Sequence, residues 1–218
     1  MTRPWLAHYP QGVPADISTD GYTSLTDLLD RACKQYASRT ALTAMGSDIT
    51  YAQLDAHARA FAGWLQSLGL PKGSRVALMM PNVPAYLVAM LGTLRAGHAV
   101  VNVNPLYTAD ELQRQLQDSG ASVIVILENF AHTLQSVSDR GALKHIVVTG
   151  PGDLLGGLKA PLVNLAARYI KKLVPAWRID GALMLPQVLA QGARLPFAAP
   201  AISCLLYTSD AADERSSV

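Results

Sequence analysis

Residues 94–112, LRAGHAVVNVNPLYTADEL, place a helix end, a glycine turn, an apolar strand and the start of a second helix in direct succession. Gly97 suits the positive φ of a helix exit, because a residue without a Cβ adopts that conformation at no steric cost. Pro105 ends the strand, since its backbone lacks an N–H donor. These roles are structural, and the succession of helix, strand and helix predicts one unit of an α/β fold.

Two helices carry their start signals in the local sequence. In TADELQRQLQDSG, Thr108 is the predicted N-cap, Glu111 is the third helical residue, and Gly120 is the first residue past the end. Earlier in the chain, Thr50 and Gln53 form the same capping box ahead of a longer helix. The apolar residues of that longer helix recur every three or four positions: Leu54, Ala58, Phe61, Leu65 and Leu68. We expect this stripe to face a sheet.

Four short runs rich in β-branched residues recur in the middle of the chain. Their central residues, Val76, Val100, Val123 and Ile146, are 24, 23 and 23 positions apart, which is the length of a strand, a helix and two loops. Apolar strands separated by amphipathic helices predict a mostly parallel sheet that is covered on both faces. The expected fold class is α/β, with an incomplete doubly wound, mostly parallel sheet and helices on both faces.

The composition limits the classes of function. The chain has 218 residues, 50% of them apolar and 16% charged, and its net charge of +2 is too small to indicate nucleic-acid binding. Its two cysteines, Cys33 and Cys204, predict neither a disulfide framework nor a metal cluster. The N-terminus has no signal-peptide pattern, and the longest apolar run, residues 83–94, is too short to span a membrane. We therefore expect a cytoplasmic protein that at most contacts the inner face of the cell membrane.

A basic amphipathic helix is predicted between Pro161 and Pro175. Its apolar residues share one side, while Arg168, Lys171 and Lys172 share the other. Such a helix can lie on an anionic membrane surface, so these three cations are candidate contacts for a peripheral membrane interaction. Alternatively, the apolar side packs on the protein and the lysines are solvated. The short length of the apolar side favours this second interpretation.

Several motifs resemble the N-terminal part of the adenylate-forming acyl-CoA synthetases. They are ITYAQL at 49–54, GSRVALMMPN at 73–82, RAGHAVVNVNPLYT at 95–108 and LQDSGA at 116–121, and they occur in the order and at the spacing of that family. Within the family, NPLYTADEL is most similar to bacterial long-chain fatty-acid–CoA ligases. The resemblance runs from the first residues to about Ser203, so residues 1–203 are expected to form part of an N-terminal AMP-binding domain.

The resemblance implies a reaction for the parent protein. A fatty carboxylate attacks the α-phosphorus of Mg·ATP to give an acyl-adenylate and diphosphate, and the thiol of coenzyme A then displaces AMP. Long-chain fatty acid, ATP, Mg²⁺ and coenzyme A are thus the expected substrates and cofactors. Relatives supply the chemistry through a loop of the form [YF]-T-[SG]-G-[ST]-[ST]-G-x-x-K-G and a lysine in a mobile C-terminal domain.

The end of the chain departs from that loop. After Tyr207, Thr208 and Ser209 the family has glycine, whereas this chain continues with DAADE, residues 210–214, which adds negative charge where phosphates would bind. The stretch CLLYTSDAADE resembles the in-frame translation of a transposase-type sequencing-library adapter, so residues 204–218 are expected to be a non-native tail. We accordingly predict no catalytic, cofactor-binding or metal-binding residue in this chain, and an inactive fragment of the ligase.

Two alternatives stay open. The parent is a ligase for an aryl, acetyl or medium-chain acid or an amino-acid-activating domain, or else the chain is a non-catalytic α/β module that binds a partner or a membrane through the 161–175 helix. The isolated histidines and one cysteine show no catalytic or metal-binding spacing, and we expect them to be surface or packing residues: His8, His57, His98, His132, His145 and Cys33.

Overall fold

A computed structural model describes residues 3–16 and 21–200. The predictions made for the tail at 204–218 therefore lie outside the described residues. Two strands form a small sheet and five form the central one: β1 (Thr40–Ala44), β2 (Ser47–Thr50), β3 (Arg75–Met79), β4 (Ala99–Asn102), β5 (Val123–Leu127), β6 (His145–Thr149) and β7 (Leu183–Met184). The α-helices are α1 (Leu25–Gln35), α2 (Tyr51–Ser67), α3 (Pro84–Arg95), α4 (Ala109–Ser119), α5 (Ala131–Gln135), α6 (Lys159–Leu165) and α7 (Leu185–Gly192).

The central sheet is parallel throughout, with strand order β4-β3-β5-β6-β7. Val76 on β3 pairs with Val100 on one side and with Val123 on the other. The chain therefore adds β4 on one side of β3 and then returns to add β5 on the other, which is a doubly wound arrangement. The four predicted strands and the predicted fold class are confirmed.

Helices cover both faces of this sheet. Alternate residues of one strand point to opposite faces, so Val76 and Leu78 enter one apolar cluster while Ala77 and Met79 enter the other. The first cluster is completed by α2, α3 and α7, and the second by α4 and α5. Continuous apolar strands such as VIVIL in β5, buried at all five positions, are the consequence.

The local helix signals are confirmed. The Thr108 hydroxyl accepts a hydrogen bond from the Glu111 N–H and the Glu111 side chain accepts one from the Thr108 N–H, while Gly120 ends α4 with a φ of 58°. Thr50 and Gln53 form the same box at the start of α2. Gly97 has the expected positive φ of 82°. These ends are defined by residues within a few positions, so they could be predicted without knowledge of the tertiary fold.

Helix α7 lies against α2 at very short range. A Cβ on Gly192 would lie 1.9 Å from the carbonyl oxygen of Ala60, and a Cβ on Gly63 would lie 3.2 Å from the carbonyl oxygen of Gly192. The two glycines let the helix backbones touch. This contact is why α2 is buried on a wider arc than its predicted stripe, with Ala60 and Trp64 also covered.

A hairpin that the sequence analysis did not predict precedes α2. Strands β1 and β2 pair antiparallel around a turn at Met45 and Gly46, which both have positive φ, 48° and 68°. Positive φ at both central residues is the geometry of a type I′ turn. Methionine is an unusual residue there, so the turn lacked its ordinary signal.

The predicted helix between Pro161 and Pro175 is partly wrong. The α-helix begins earlier, at Lys159, and ends at Leu165, where it continues as a single π-helical turn, Ala166–Ile170. Lys172 then adopts a positive φ of 49°, which ends the helical segment. The expectation that its apolar side packs on the protein is also wrong, because the side that faces the protein carries Asn164 and Arg168.

Candidate functional site at the carboxyl edge of the sheet

Polar side chains gather where β5 and β6 end. Glu128 directly follows β5, and Thr149 is the last residue of β6. In open α/β sheets, ligands bind outside the carboxyl ends of the strands, so this edge is the first place to seek a site. Segment 159–170 covers it and contributes Asn164 and Arg168.

The loop after β6 is held by its own side chains. The Asp153 carboxylate accepts hydrogen bonds from the Gly150 N–H at 2.8 Å and from the Thr149 hydroxyl at 3.1 Å. Asn164 donates to the other oxygen of Asp153 at 2.9 Å and accepts from the Gly152 N–H at 2.6 Å. Both glycine N–H groups are therefore occupied, and a carboxylate lies beside them.

Two glycines allow α6 to approach this loop. A Cβ on Gly150 would lie 2.7 Å from the Asn164 side chain, and one on Gly152 would lie 2.5 Å from the carbonyl oxygen of Ala160. Contacts below 3.0 Å require a shift of the neighbouring atoms. The sequence GPGD thus resembles a phosphate-binding loop only in composition. Its role is to receive the side chain of Asn164.

An ion pair joins the covering segment to β5. Arg168 donates to the Glu128 carboxylate at 2.5 Å, and Glu128 is almost completely buried while Arg168 is partly exposed. The hydrogen bond to this carboxylate raises the pKa of Arg168 above its usual value. Among the described residues, the second oxygen of Glu128 and the side-chain oxygen of Asn129 are buried without a hydrogen-bond partner.

This edge does not fit ATP or Mg²⁺. The glycine N–H groups that could hold a phosphate already donate hydrogen bonds to Asp153 and Asn164. The carboxylates of Glu128 and Asp153 would also repel the phosphate charge. In residues 3–16 and 21–200, no cluster of His, Cys, Asp and Glu has the arrangement of a metal site. The edge instead fixes the covering segment in place.

The histidines weighed from the sequence are dispersed. His98 is buried, and burial lowers its pKa because the charged ring is disfavoured there. His57 lies in a groove, and its pKa is lowered for the same reason. His132 contacts the Asn129 carbonyl oxygen at 3.1 Å, and the rings of His145 and Trp64 pack in a T-shaped arrangement. His8 is exposed.

Cys33 is not placed for nucleophilic chemistry. Its side chain is buried on the inner side of α1, as predicted, and burial raises the pKa of its thiol. A thiol with a raised pKa stays protonated and is a poor nucleophile. Its neighbour Arg95 is instead held by the carboxylates of Asp30 and Asp55, at 2.5 and 2.6 Å.

A shallow groove of 620 Å³ runs between α2, α7 and the loop after β6. Its lining is mainly apolar, and its polar members are Asp48, Gln53, His57 and Asp153. The groove contains no pair of reactive groups at hydrogen-bond distance. We assign it no chemistry.

Sequence reasoning missed Glu128, Asp153 and Asn164. A signal existed for the two acids, since each follows an apolar strand within four residues, at the edge where polar groups meet. Asn164 gave no such signal. Its partners are 11 and 12 residues away, and only the tertiary fold brings them together.

Within the part of the chain that the structure describes, no helix combines the length and the apolar character that a bilayer crossing requires.

The sequence matches the model of the family described as "AMP-binding enzyme" over residues 29–209. It is 48% identical over 201 residues to a long-chain-fatty-acid–CoA ligase from Escherichia coli O157:H7, covering 92% of this chain and 36% of that protein. A long-chain-fatty-acid–CoA ligase from Bacillus subtilis is 35% identical, covering 70% of this chain and 27% of the relative. The chain thus spans about a third of the length of these curated relatives.

Solved structures agree on the fold. A long-chain-fatty-acid–CoA ligase from Archaeoglobus fulgidus superposes with a TM-score of 0.62 at 18% identity, covering 88% of this chain and 34% of that one. A benzoate CoA ligase from Burkholderia xenovorans gives 0.62 at 24% identity, covering 82% and 30%. Together with the family match across most of its length, these findings show that the chain belongs to the AMP-binding enzyme family.

Proposed function

We propose that this chain is the first part of the AMP-binding domain of a long-chain fatty-acid–CoA ligase. The observation that carries the proposal is the 48% identity that extends over 92% of the chain to a relative of that activity. The parallel sheet and its two helical layers agree with the fold of the solved CoA ligases. The parent would convert fatty acid, ATP and coenzyme A to acyl-CoA, AMP and diphosphate.

The parent's cofactors would bind outside the described residues. ATP and Mg²⁺ need cationic or N–H donors for the phosphates, and the edge of this sheet offers carboxylates and occupied N–H groups instead. We therefore propose that the glycine-rich loop and the catalytic lysine lie in the rest of the parent. The 218-residue chain alone would form no acyl-CoA.

The boundary between native and foreign sequence is part of the proposal. Residues 1–203 would be native, and residues 204–218 would derive from a sequencing adapter. The family match extends to Ser209, so it includes residues 204–209, whose LLYTS agrees with the start of the nucleotide loop, and it ends before the carboxylates that begin at Asp210. The departure from the family at Asp210 supports a foreign end of the chain, and the placement of its start at Cys204 rests on the resemblance of CLLYTSDAADE to a translated adapter.

The parent would be a cytoplasmic enzyme with a peripheral contact at the inner face of the cell membrane. Three cations were the candidate contacts, Arg168, Lys171 and Lys172. Lys171 and Lys172 are exposed, whereas Arg168 is held by Glu128. The lysines are the better candidates, because a cation that is already paired contributes less attraction to anionic lipid.

The test is an activity assay on two proteins. The complete reading frame would be recovered from the source DNA, and its product compared with the 218-residue chain, each given Mg·ATP, coenzyme A and one of palmitate, benzoate or acetate. We expect acyl-CoA from the complete protein with palmitate preferred, and none from the short chain. Preference for benzoate or acetate would instead favour a ligase for another acid. Acyl-CoA formed by the short chain would overturn the assignment of the chemistry to the missing part.

A further inference from the structure

Segment 158–173 exposes an unusual amount of apolar surface. Its six large apolar side chains are each 53–82% exposed: Leu158, Leu162, Leu165, Tyr169, Ile170 and Leu173. The first four of these recur at helical spacings of four, three and four, which puts them on one side of the segment. Exposed apolar residues that occur singly need no explanation, but a cluster of this kind marks an interaction surface.

Contacts on the inner side of the segment fix the orientation of its apolar side. Asn164 is bonded to Gly152 and Asp153, and Arg168 is paired with the buried Glu128. Ala167, on the same inner side, is buried. Rotating the segment to bury its leucines would break these contacts and leave the Glu128 charge unpaired inside the protein, which is costly. The apolar side is therefore held outward.

The charge around the segment has one sign. Residues 154–179 contain five cations and no carboxylate: Lys159, Arg168, Lys171, Lys172 and Arg178. Arg168 is neutralised by Glu128, and Arg178 faces Asp180 at 3.6 Å. Lys171 and Lys172 are exposed, and no carboxylate in residues 3–16 or 21–200 pairs with them. Two lysines thus stand at the end of the apolar surface.

We propose that the exposed side of residues 158–173 docks on an anionic phospholipid bilayer, with its leucines and Ile170 in the interface and its lysines at the lipid phosphates. The segment has the features of an interfacial helix, which are an apolar side, adjacent cations and insufficient length to span the bilayer. Tyr169 is an amphipathic ring of the kind found at headgroup depth. The inference rests on the proposed function and deepens it, because it assigns the peripheral membrane contact proposed there to the apolar side of this segment together with Lys171 and Lys172.

This assignment changes the role of Arg168. It is a positioning residue that holds the segment by its inner side, and the lipid contacts come from the opposite side together with Lys171 and Lys172. Binding is then driven by apolar insertion as well as by charge. The apolar and the electrostatic contributions to binding can therefore be measured separately, by changing the lipid composition of the vesicles and by substituting the leucines or the lysines.

The test is vesicle flotation of the 218-residue chain fused to a soluble carrier protein. Vesicles of phosphatidylcholine and phosphatidylglycerol at about 3:1 are compared with vesicles of pure phosphatidylcholine. Protein that aggregates sinks to the pellet, so aggregation is not mistaken for binding. We expect flotation with the anionic vesicles. The variant Leu162→Ser/Ile170→Ser should weaken partitioning about tenfold. Leu106→Ser removes an equally exposed leucine outside the surface and should change nothing.

Charge is tested in parallel. Lys171→Gln/Lys172→Gln should weaken binding to anionic vesicles by about fivefold for each lysine, and raising the salt concentration should weaken the unsubstituted chain in the same way. Lys34→Gln/Lys144→Gln removes two exposed lysines elsewhere and serves as the matched control. Binding that survives the apolar substitutions unchanged, or a chain that never floats, overturns the proposal.

The other candidate for covering the apolar surface at 158–173 is the rest of the parent protein. If the short chain floats and the complete protein does not, the surface is covered by the missing part and the lipid proposal fails. The activity assay separates this failure from failure of the proposed function. A complete protein that forms palmitoyl-CoA from detergent-dispersed palmitate but does not float refutes docking alone, and an inactive protein that floats refutes the ligase assignment alone.

Discussion

Substituting Gly192 with alanine tests the closest contact in the fold, where α7 crosses α2. The new Cβ would lie 1.9 Å from the Ala60 carbonyl oxygen, whereas ordinary contact begins at 3.4 Å, so the helices must separate by about 1.5 Å. The carbonyl oxygen belongs to the backbone and the position of the Cβ is fixed by the backbone, so no rotamer change relieves the clash. Overpacking of this kind costs about 1–3 kcal/mol and occasionally more. We expect a loss near the upper end, about 3 kcal/mol, because Val188 and Leu189 lose contacts as α7 moves.

The assay is urea unfolding followed by pulse proteolysis, with the chain on a soluble carrier. With a urea dependence of about 2–3 kcal/mol per M, the unfolding midpoint should fall by about 1–1.5 M. Gly63→Ala, whose Cβ would lie 3.2 Å from the Gly192 oxygen, should cost clearly less, and Gly21→Ala, with nothing within 4 Å, is the matched control. A midpoint for Gly192→Ala equal to that of Gly21→Ala would refute the α2–α7 contact.

Three further outcomes are expected. Burial lowers the pKa of His98 and of His57, so below about pH 6.5 the unfolded chain binds protons that the folded chain does not. The contribution of these histidines to stability should therefore be complete above about pH 6.5 and fall as the pH drops below it. Urea midpoints between about pH 5 and 8 measure this fall, which should be weaker in His98→Gln. Arg168→Met leaves buried Glu128 unpaired and should destabilise the chain by about 2 kcal/mol, part of which the double variant with Glu128→Gln restores; purely additive losses in this cycle would show that the two side chains do not interact. Without the carrier, the isolated chain should aggregate, because its sheet ends at the open strands β4 and β7, and a carrier-free chain that elutes as a soluble monomer in size-exclusion chromatography would contradict this expectation.

The predictable parts of the fold are those whose signals are local. Thr108 and Gly120 define α4 through hydrogen bonds within four residues, and the regular spacing of the strands reports the repeating βα unit. The orientation of segment 159–170 could not be predicted this way. Its apolar residues alone favour burial, but Asn164 and Arg168 find partners 11–12 and 40 residues away. A helical wheel contains no information about those partners.

The site illustrates the same limit. The strand ends locate the carboxyl edge, but whether a glycine N–H is available to a phosphate depends on the side chain opposite it. The Gly152 N–H is taken by Asn164, a contact that the spacing GPGD does not reveal. Conversely, the motifs from Ile49 to Ala121 were sufficient to predict the family, because several segments in order and at fixed spacing are more specific than any single loop.

The nucleotide sequence across the Ser203–Cys204 junction, amplified from the source DNA and extended downstream, tests the central claim most directly. If the chain is the first part of a fatty-acid–CoA ligase, the genomic sequence does not encode CLLYTSDAADE after Ser203. It instead continues into a glycine-rich loop with its lysine, followed by the remaining two thirds of the enzyme. Genomic DNA that encodes residues 204–218 as they stand and then stops would contradict the claim. The chain would then be a module without ATP chemistry, and its apolar surface at 158–173 would become its principal functional feature.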